Sequence, residues 1–394
     1  MSHALISHSN DLQRLQEAGF EISIVAGFLV VDGIPYLRSN GEIAYGKLVS
    51  DLDLAGEQTA RPGNHVIHFV GEHPCHKDGS AMSSILNAST TKRLADGLTI
   101  NHSFSNKPPS GYADYFEKVD RYAEMISAPV RSIDPSITPR THRTSQRGTE
   151  YSVFQYTDTN STRAEIQAIS ERMKGQRIAI VGLGGTGGYV LDFVSKCPVA
   201  EIHPYDKDQF LNHNAFRAPG APSLSILRSA PKKVDYLTDA YSKMHKGIRP
   251  HPYYIDESNV YELCEFDFVF ICVDKGTVKR LIIEALEDGG VAYVDVGMGV
   301  YTANEQLLGL LRVTAGTPEN QGEALSKSRI NFSDADEDDD YDTNIQIAEL
   351  NAYCAVMAVI QWKKIIGVYQ DMARERHSVY TLNVDMLTHD EDCD

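Results

Sequence analysis

Cysteine is scarce in this sequence, and positive charge is in deficit. The 394 residues include six cysteines, Cys75, Cys197, Cys264, Cys272, Cys354 and Cys393, and none belongs to a C-x-x-C pair. That spacing leaves out the paired-thiolate zinc motif and argues against a disulfide framework, so a reduced, cytoplasmic setting is expected. Lys and Arg number 37 against 54 Asp and Glu, a net charge of −17. A nucleic-acid binder needs a basic face to meet phosphates, so no nucleic-acid partner is expected. No apolar run approaches the roughly 20 residues that span a bilayer. The opening "MSHALISHSNDLQRLQ" has no basic segment leading into an apolar core. Neither a membrane partner nor a signal peptide is expected.

What is present suits a globular chain, with 42% hydrophobic and 23% charged residues over a length that holds two domains. Residues 1–131 read as an N-terminal α+β accessory domain. "DLQRLQEAG" has helical spacing, while "FEISIVAGFLVV" and "NHVIHFVG" read as strands punctuated by Gly, Pro and Asn. His65, His68, His73, Cys75 and His76 crowd together there. Imidazole and thiolate suit zinc, although alternating His in a strand and His before a Pro turn are more often structural. Residues 132–158, rich in Pro, Ser, Thr and Arg, read as a linker. A helix is expected from about residue 160, with Ser161, Thr162 and Glu165 as its start signature.

From Gln176 onward strands alternate with helices. "RIAIVG", "VAEIHPYD", "RPHPYYID", "DFVFICV", "VAYVDVG" and "EQLLGLLRVT" read as strands, with helices near 186–197, 231–246, 275–288 and 346–367. Short apolar runs separated by helices predict a doubly wound, mostly parallel, Rossmann-like α/β domain over residues 159–394. Within it, residues 315–344 carry an acidic run, Asp334 to Asp342, and almost nothing apolar. A stretch of that length inside a compact domain is a functional or disordered crossover.

"RIAIVGLGGTGGYVLDFV", residues 177–194, is a strand, a glycine-rich turn and a helix. Gly182, Gly184, Gly185, Thr186 and Gly187 would let backbone N–H groups approach a phosphate at the helix N-terminus. Alone, that block serves NAD, FAD or ATP equally well. Asp206 ends the next strand, where dinucleotide enzymes place a ribose ligand. The continuation "YDKDQFLNHNAFR", followed by Lys232 and Lys233, has no evident use in hydride transfer. Asp208, Asn214, Arg217 and a lysine suit an enzyme that holds a triphosphate and expels pyrophosphate, because cations stabilise the charge that grows on the phosphates. Taken singly, each has a plain structural reading: the aspartates as strand-end turn residues, the lysines as a solvated helix start.

Taken in order, these residues resemble the ThiF/MoeB and ubiquitin-activating superfamily of adenylating enzymes. That pattern runs G-x-G-G-x-G, D-x-D, N-x-x-R, a lysine heading a helix, then an Asp after the fourth strand, here Asp274 in "FICVDKGTVKR". The resemblance covers about residues 160–385. It implies ATP and Mg2+, with Asp206 at the ribose, Asn214 and Arg217 at the phosphates, and Lys232 or Lys233 at the α-phosphate. Asp274 would hold the metal, a hard cation that prefers oxygen ligands. Arg163 stands where family members often send an arginine into a partner's ATP site, which implies a homodimer. Two positions depart from the pattern: Ala218 replaces a usual Gln and Lys275 a usual Asn.

The crossover also lacks the family's cysteine nucleophile. Ser326, Ser328 and Ser333 lie in it as hydroxyl candidates. Cys393 sits among acidic neighbours that disfavour its thiolate. Direct hand-over of an acyl-adenylate is the remaining route. Similarity to the activating enzymes of bacterial ubiquitin-like conjugation implies a ubiquitin-like protein's C-terminal carboxylate as substrate and a ubiquitin-conjugating-like carrier as the next partner. Adenylation of a small peptide or sulfur-carrier protein, an NAD-dependent oxidoreductase and a catalytically silent scaffold stay open as alternatives.

Overall fold

A computed structural model describes residues 2–143, 152–320, 322–323, 329–332 and 345–389. The chain packs as two compact units, Met1–Glu171 and Arg172–Asp394. The first opens with a short helix, Ser2–His8, followed by helix α1 (Asn10–Glu17), and centres on a six-stranded antiparallel sheet. Its strands are β1 (Glu21–Val25), β2 (Phe28–Leu37), β3 (Ile43–Ser50), β4 (Val66–Val70), β5 (Leu86–Ala95) and β6 (Leu98–Ser105), in the order β1-β2-β3-β4-β6-β5. Ala26 and Gly27, at φ 48 and 84, make the two-residue turn between β1 and β2. Positive φ at both positions gives a hairpin the twist that its strands require.

Helix α2 (Tyr115–Arg131) starts where the Asp114 carboxylate accepts the Glu117 N–H at 2.8 Å. Tyr115, Val119, Tyr122, Ile126 and Val130 recur at three- and four-residue spacing and are all buried. The tyrosine-rich helix is therefore core.

Residues 158–171 belong to this first unit and do not run on as one helix. Asp158 caps α3 (Thr159–Arg163), accepting the Ser161 N–H at 3.0 Å and the Ser161 hydroxyl at 2.6 Å. The expected start at Ser161 is thus displaced. Glu165, expected to complete that start, stands at φ 52 and interrupts the helix. Its carboxylate is drawn to His68, at 3.3 Å, and to Lys92. Thr162 Oγ1 and Gln167 Nε2 both donate to the Ala26 carbonyl at 3.3 Å.

The second unit holds a seven-stranded sheet. Its strands are β7 (Arg177–Val181), β8 (Glu201–Tyr205), β9 (Phe268–Ile271), β10 (Ala292–Ala303), β11 (Gln306–Gly316), β12 (His377–Thr381) and β13 (Met386–His389). The order is β8-β7-β9-β10-β11-β12-β13. The first four are mutually parallel, and the last three continue the sheet antiparallel. Its helices include α4 (Gly185–Val194), α5 (Asn212–Ala215), α6 (Lys233–Tyr241), α7 (Gly276–Asp288) and α8 (Ala348–Ile365).

Alternation along β7 explains why it is apolar throughout. Ile178 and Ile180 pack with Val190 of α4 and Ala358 and Trp362 of α8, whereas Ala179 and Val181 pack with Ile282 and Ile283 of α7. Helices cover both faces, as a doubly wound α/β sheet requires.

"RPHPYYID" does not enter the sheet as the expected strand. It makes one parallel bridge, Tyr205 with His251, just after a bridge between Ile202 and Ile248. Pro250 and Pro252 lack the N–H groups that a ladder needs.

Near the buried side of this edge, His245 is fully enclosed. Nε2 donates to the Val199 carbonyl at 3.1 Å, and Nδ1 accepts the Gly247 N–H at 3.0 Å, so the ring is held neutral. Burial keeps its pKa below the ordinary histidine value, and does the same for His203 and His251, whose rings share a 2.9 Å hydrogen bond. With folded pKa values below the unfolded ones, the unfolded chain binds more protons as pH falls through about 6.5. Stability is complete above that pH and is lost on acidification. Thermal melting should therefore drop between about pH 7.5 and about pH 5.5, and His245→Asn should shrink the drop. A variant with the same pH slope as the parent would remove His245 from this account.

Candidate nucleotide site

Strand β7 ends in a turn that only glycine can make. Gly182 sits at φ 91, and a Cβ there would lie 2.7 Å from the Cys272 carbonyl oxygen. The Gly182 N–H donates to Tyr205 O and the Leu183 N–H to Asp206 Oδ2, each at 2.8 Å. Gly184 is the N-cap of α4, with open space where its Cβ would be and no side chain capping the helix. The first-turn N–H groups are thus available to an anion. A Cβ on Gly187 would be driven into the Gly182 carbonyl, and one on Gly185 into the Asn351 amide. Thr186, between them, donates its hydroxyl to Asn351 Oδ1 at 2.8 Å.

Asp206 is buried, and its other oxygen accepts the Asp208 N–H at 2.8 Å. One carboxylate therefore ties the glycine turn to the end of β8. Lys233, the first residue of α6, is also buried; its Nζ lies 2.7 Å from Asp208 and 3.6 Å from Asp206. Tyr254 donates its hydroxyl to the other Asp208 oxygen. Burial works against the Asp208 charge, but these two hydrogen bonds outweigh it and its pKa lies below the usual carboxylate value. The Tyr254 hydroxyl is pushed up to about 12, first by that hydrogen bond and then by burial. Lys232 points elsewhere, with Nζ 3.3 Å from the Pro252 carbonyl.

Asn214 in α5 is buried, and its Oδ1 accepts the Leu211 N–H at 2.8 Å, folding the loop that carries Arg217. Arg217 is half-buried, and its Nε has no hydrogen-bond partner among the described residues. Burial lowers its pKa, against the attraction of Asp274 and Asp208. A guanidinium desolvated in this way is incomplete without an anion.

Asp274 follows β9 and accepts from Gln346 Nε2 at 3.3 Å. It lines one cleft together with Gly184, Gly185, Thr186, Cys272, Val296, Gly297, Met298, Gln346 and Asn351. The cleft lies at the carboxyl ends of β7 and β9, where α/β sheets bind ligands, and beside the middle of β10. Six of its residues gave no sequence signal as site residues: Cys272, Val296, Gly297, Met298, Gln346 and Asn351. Burial pushes the Cys272 thiol well above its ordinary pKa, so this cleft cysteine is held as the un-nucleophilic thiol.

Arg163 belongs to the first unit, where it pairs with Asp53 at 3.2 Å. Ser326, Ser328, Ser333, Cys393 and the acidic run from Asp334 lie outside the described residues. In the histidine-rich segment three of the four rings have separate neighbours: His65 meets Ser105 Oγ at 3.0 Å, His68 meets Glu165, and His73 meets the Pro74 carbonyl at 2.9 Å. Among the described residues, no group of three or more His, Cys, Asp or Glu is arranged to hold a metal ion, and no helix is long and apolar enough to cross a membrane.

Residues 160–392 match the ThiF family, and residues 10–159 match a domain of unknown function, DUF6791. A ubiquitin-like modifier-activating enzyme 5 from Drosophila mojavensis is 24% identical over 139 residues, and one from Culex quinquefasciatus 25% identical over 146. Each alignment takes in 32% of this chain and 35% of the relative, so the chain spans about a third of the length of these curated relatives. Among solved structures, E. coli MccB with AMPCPP and SeMet MccA aligns at a TM-score of 0.45 and 16% identity, over 59% of this chain and 70% of that one. PaaA aligns at 0.47 and 15%, over 74% and 92%.

Proposed function

The chain belongs to the ThiF family through residues 160–392, and on that footing we propose that its second unit uses ATP to adenylate the C-terminal carboxylate of a protein or peptide. A ubiquitin-like protein is the substrate in this reading, and a ubiquitin-conjugating-like carrier receives the product. The observation that carries it is the unpartnered Nε of Arg217, attracted to Asp274, which itself lines the cleft with the glycine turn.

The residues fit a nucleoside triphosphate. The first-turn N–H groups of α4 hold one phosphate, and the missing side chain at Gly184 leaves room for it, while Gly182 and Gly187 let the turn close on its own backbone. Arg217 supplies charge-assisted hydrogen bonds to the phosphates, and Lys233 exchanges part of its contact with Asp208 for an α-phosphate oxygen. Asp206 and Asp208 face the ribose, since carboxylate oxygens that accept one N–H can accept a hydroxyl as well. Asp274 and oxygen neighbours suit Mg2+, whose charge neutralises the phosphates when bound.

In the reaction, a substrate carboxylate oxygen attacks the α-phosphorus, and the bond from that phosphorus to the bridging oxygen breaks. Pyrophosphate carries away the electron pair, leaving an acyl-adenylate. Arg217 and Lys233 stabilise the charge that develops on the leaving group. The acyl group then passes to a hydroxyl of Ser326, Ser328 or Ser333, which gives up its proton to form an ester as AMP leaves, or directly to a nucleophile of the carrier, again with AMP as the leaving group. Arg163 completes the nucleotide site of a second copy in a homodimer.

ATP–pyrophosphate exchange tests the reading, run alone and with candidate ubiquitin-like proteins. Exchange should appear with one of them, and Asp274→Asn should lower it at least about a hundredfold without changing the melting temperature. Tight NAD binding with no exchange under any condition would overturn the proposal.

A further inference from the structure

Asn351 lies in the first turn of α8 at the cleft, and only 1% of it is exposed. Both ends of its amide are committed. Nδ2 donates to the Ile347 carbonyl on its own helix at 3.0 Å, and Oδ1 accepts from Thr186 Oγ1 at 2.8 Å. With the nitrogen engaged at Ile347, the oxygen has to face Thr186. A hydroxyl carries a single proton, so Thr186 gives it to Asn351 and offers only lone pairs in every other direction. Gly185 preserves the contact, because any side chain there would strike the Asn351 amide.

A phosphate takes donors, and the first-turn N–H groups of α4 are donors. An acceptor-only hydroxyl would repel phosphate oxygens. Thr186 nevertheless lines the same cleft as Asp274, another acceptor. Two acceptors on one cleft wall suit a hard divalent cation, bound directly or through its waters.

We infer that Asn351 is a positioning residue that fixes the Thr186 hydroxyl as an acceptor toward the divalent cation accompanying a bound nucleotide. This rests on the adenylation reading. Without Asn351, the hydroxyl turns and donates to phosphate, and the protein loses part of its preference for metal-bound nucleotide.

The test is calorimetric titration of the full-length protein with ATP, once with Mg2+ and once with EDTA, alongside thermal melts. Asn351→Leu and Thr186→Val should each cut the Mg2+-dependent gain in affinity about tenfold, and neither should weaken metal-free binding. The double variant should lose no more than either single one, and Thr186→Ser should behave as the parent. Equal losses with and without Mg2+ would mean that Asn351 merely supports the fold, and additive single effects would mean that the two residues act separately. Either result overturns the inference. If Asn351→Leu fails to fold, the contrast between Thr186→Val and Thr186→Ser decides. A parent protein that binds no ATP under either condition would instead bring down the adenylation reading and this inference with it.

Discussion

Gly187→Ala should abolish nucleotide binding. The added methyl meets the carbonyl oxygen of Gly182 and, at 3.2 Å, the Cβ of Cys272. The first is main chain, so no flexible side-chain end can swing aside. The turn has little freedom to yield, because Gly182 is held at φ 91 by its bond to Tyr205 and Leu183 by its bond to Asp206. Relief requires the turn to open, which spreads the N–H groups meant for phosphate. Overpacking of this kind costs about 1–3 kcal/mol, so the variant should still fold, at a lower melting temperature. Gly184→Ala is the matched control: its methyl meets nothing within 4 Å, and its melting temperature should equal the parent's. Calorimetry with ATP and a thermal melt decide the matter. A Gly187→Ala protein that binds ATP with undiminished affinity would show that phosphates do not sit on this turn.

Arg217→Met should separate activity from stability. Exchange should fall by about 10²–10³, the loss typical when a preorganised donor to a developing anion is removed. Melting temperature should rise slightly, because the guanidinium is desolvated while its Nε goes unpaired. Arg217→Lys should recover little, since an ammonium lacks the planar fork that grips a phosphate. Loss of exchange together with a lower melting temperature would recast Arg217 as a structural residue.

The glycine turn that lines the cleft was legible because its parts lie close in sequence and each answers a local demand. Gly182 is needed for a positive φ and Gly187 for a backbone crossing, while Asp206 stands at the end of the strand beside the turn. Asn351 was not legible. It joins Thr186 from 165 residues away, inside a helix whose small apolar residues read simply as core. Gln346 reached Asp274 by the same kind of tertiary contact, across 72 residues.

Local pattern also misled. The bulky run at 249–256 has the composition of a strand, but two prolines deprive it of ladder donors. Glu165 fits a helix-start motif, yet His68 on β4 and Lys92 on β5 claim its carboxylate. The strand "EQLLGLLRVT" was recognisable as such, but the direction of its neighbours depends on connections that a single strand does not encode.

Residues 158–171 carry a consequence for how such a protein can be rearranged by evolution or by cloning. The ThiF match begins at 160, whereas the packing seam falls between Glu171 and Arg172. Recombination at the earlier point would take Thr162 and Gln167 from the Ala26 carbonyl and strip His68 and Lys92 of their carboxylate. The donor fragment would carry a strap cut off from its partners, and the recipient would keep an unsealed hairpin. Exchanges that cut at the later seam keep these partners in one fragment, so modules inherited intact should be trimmed there.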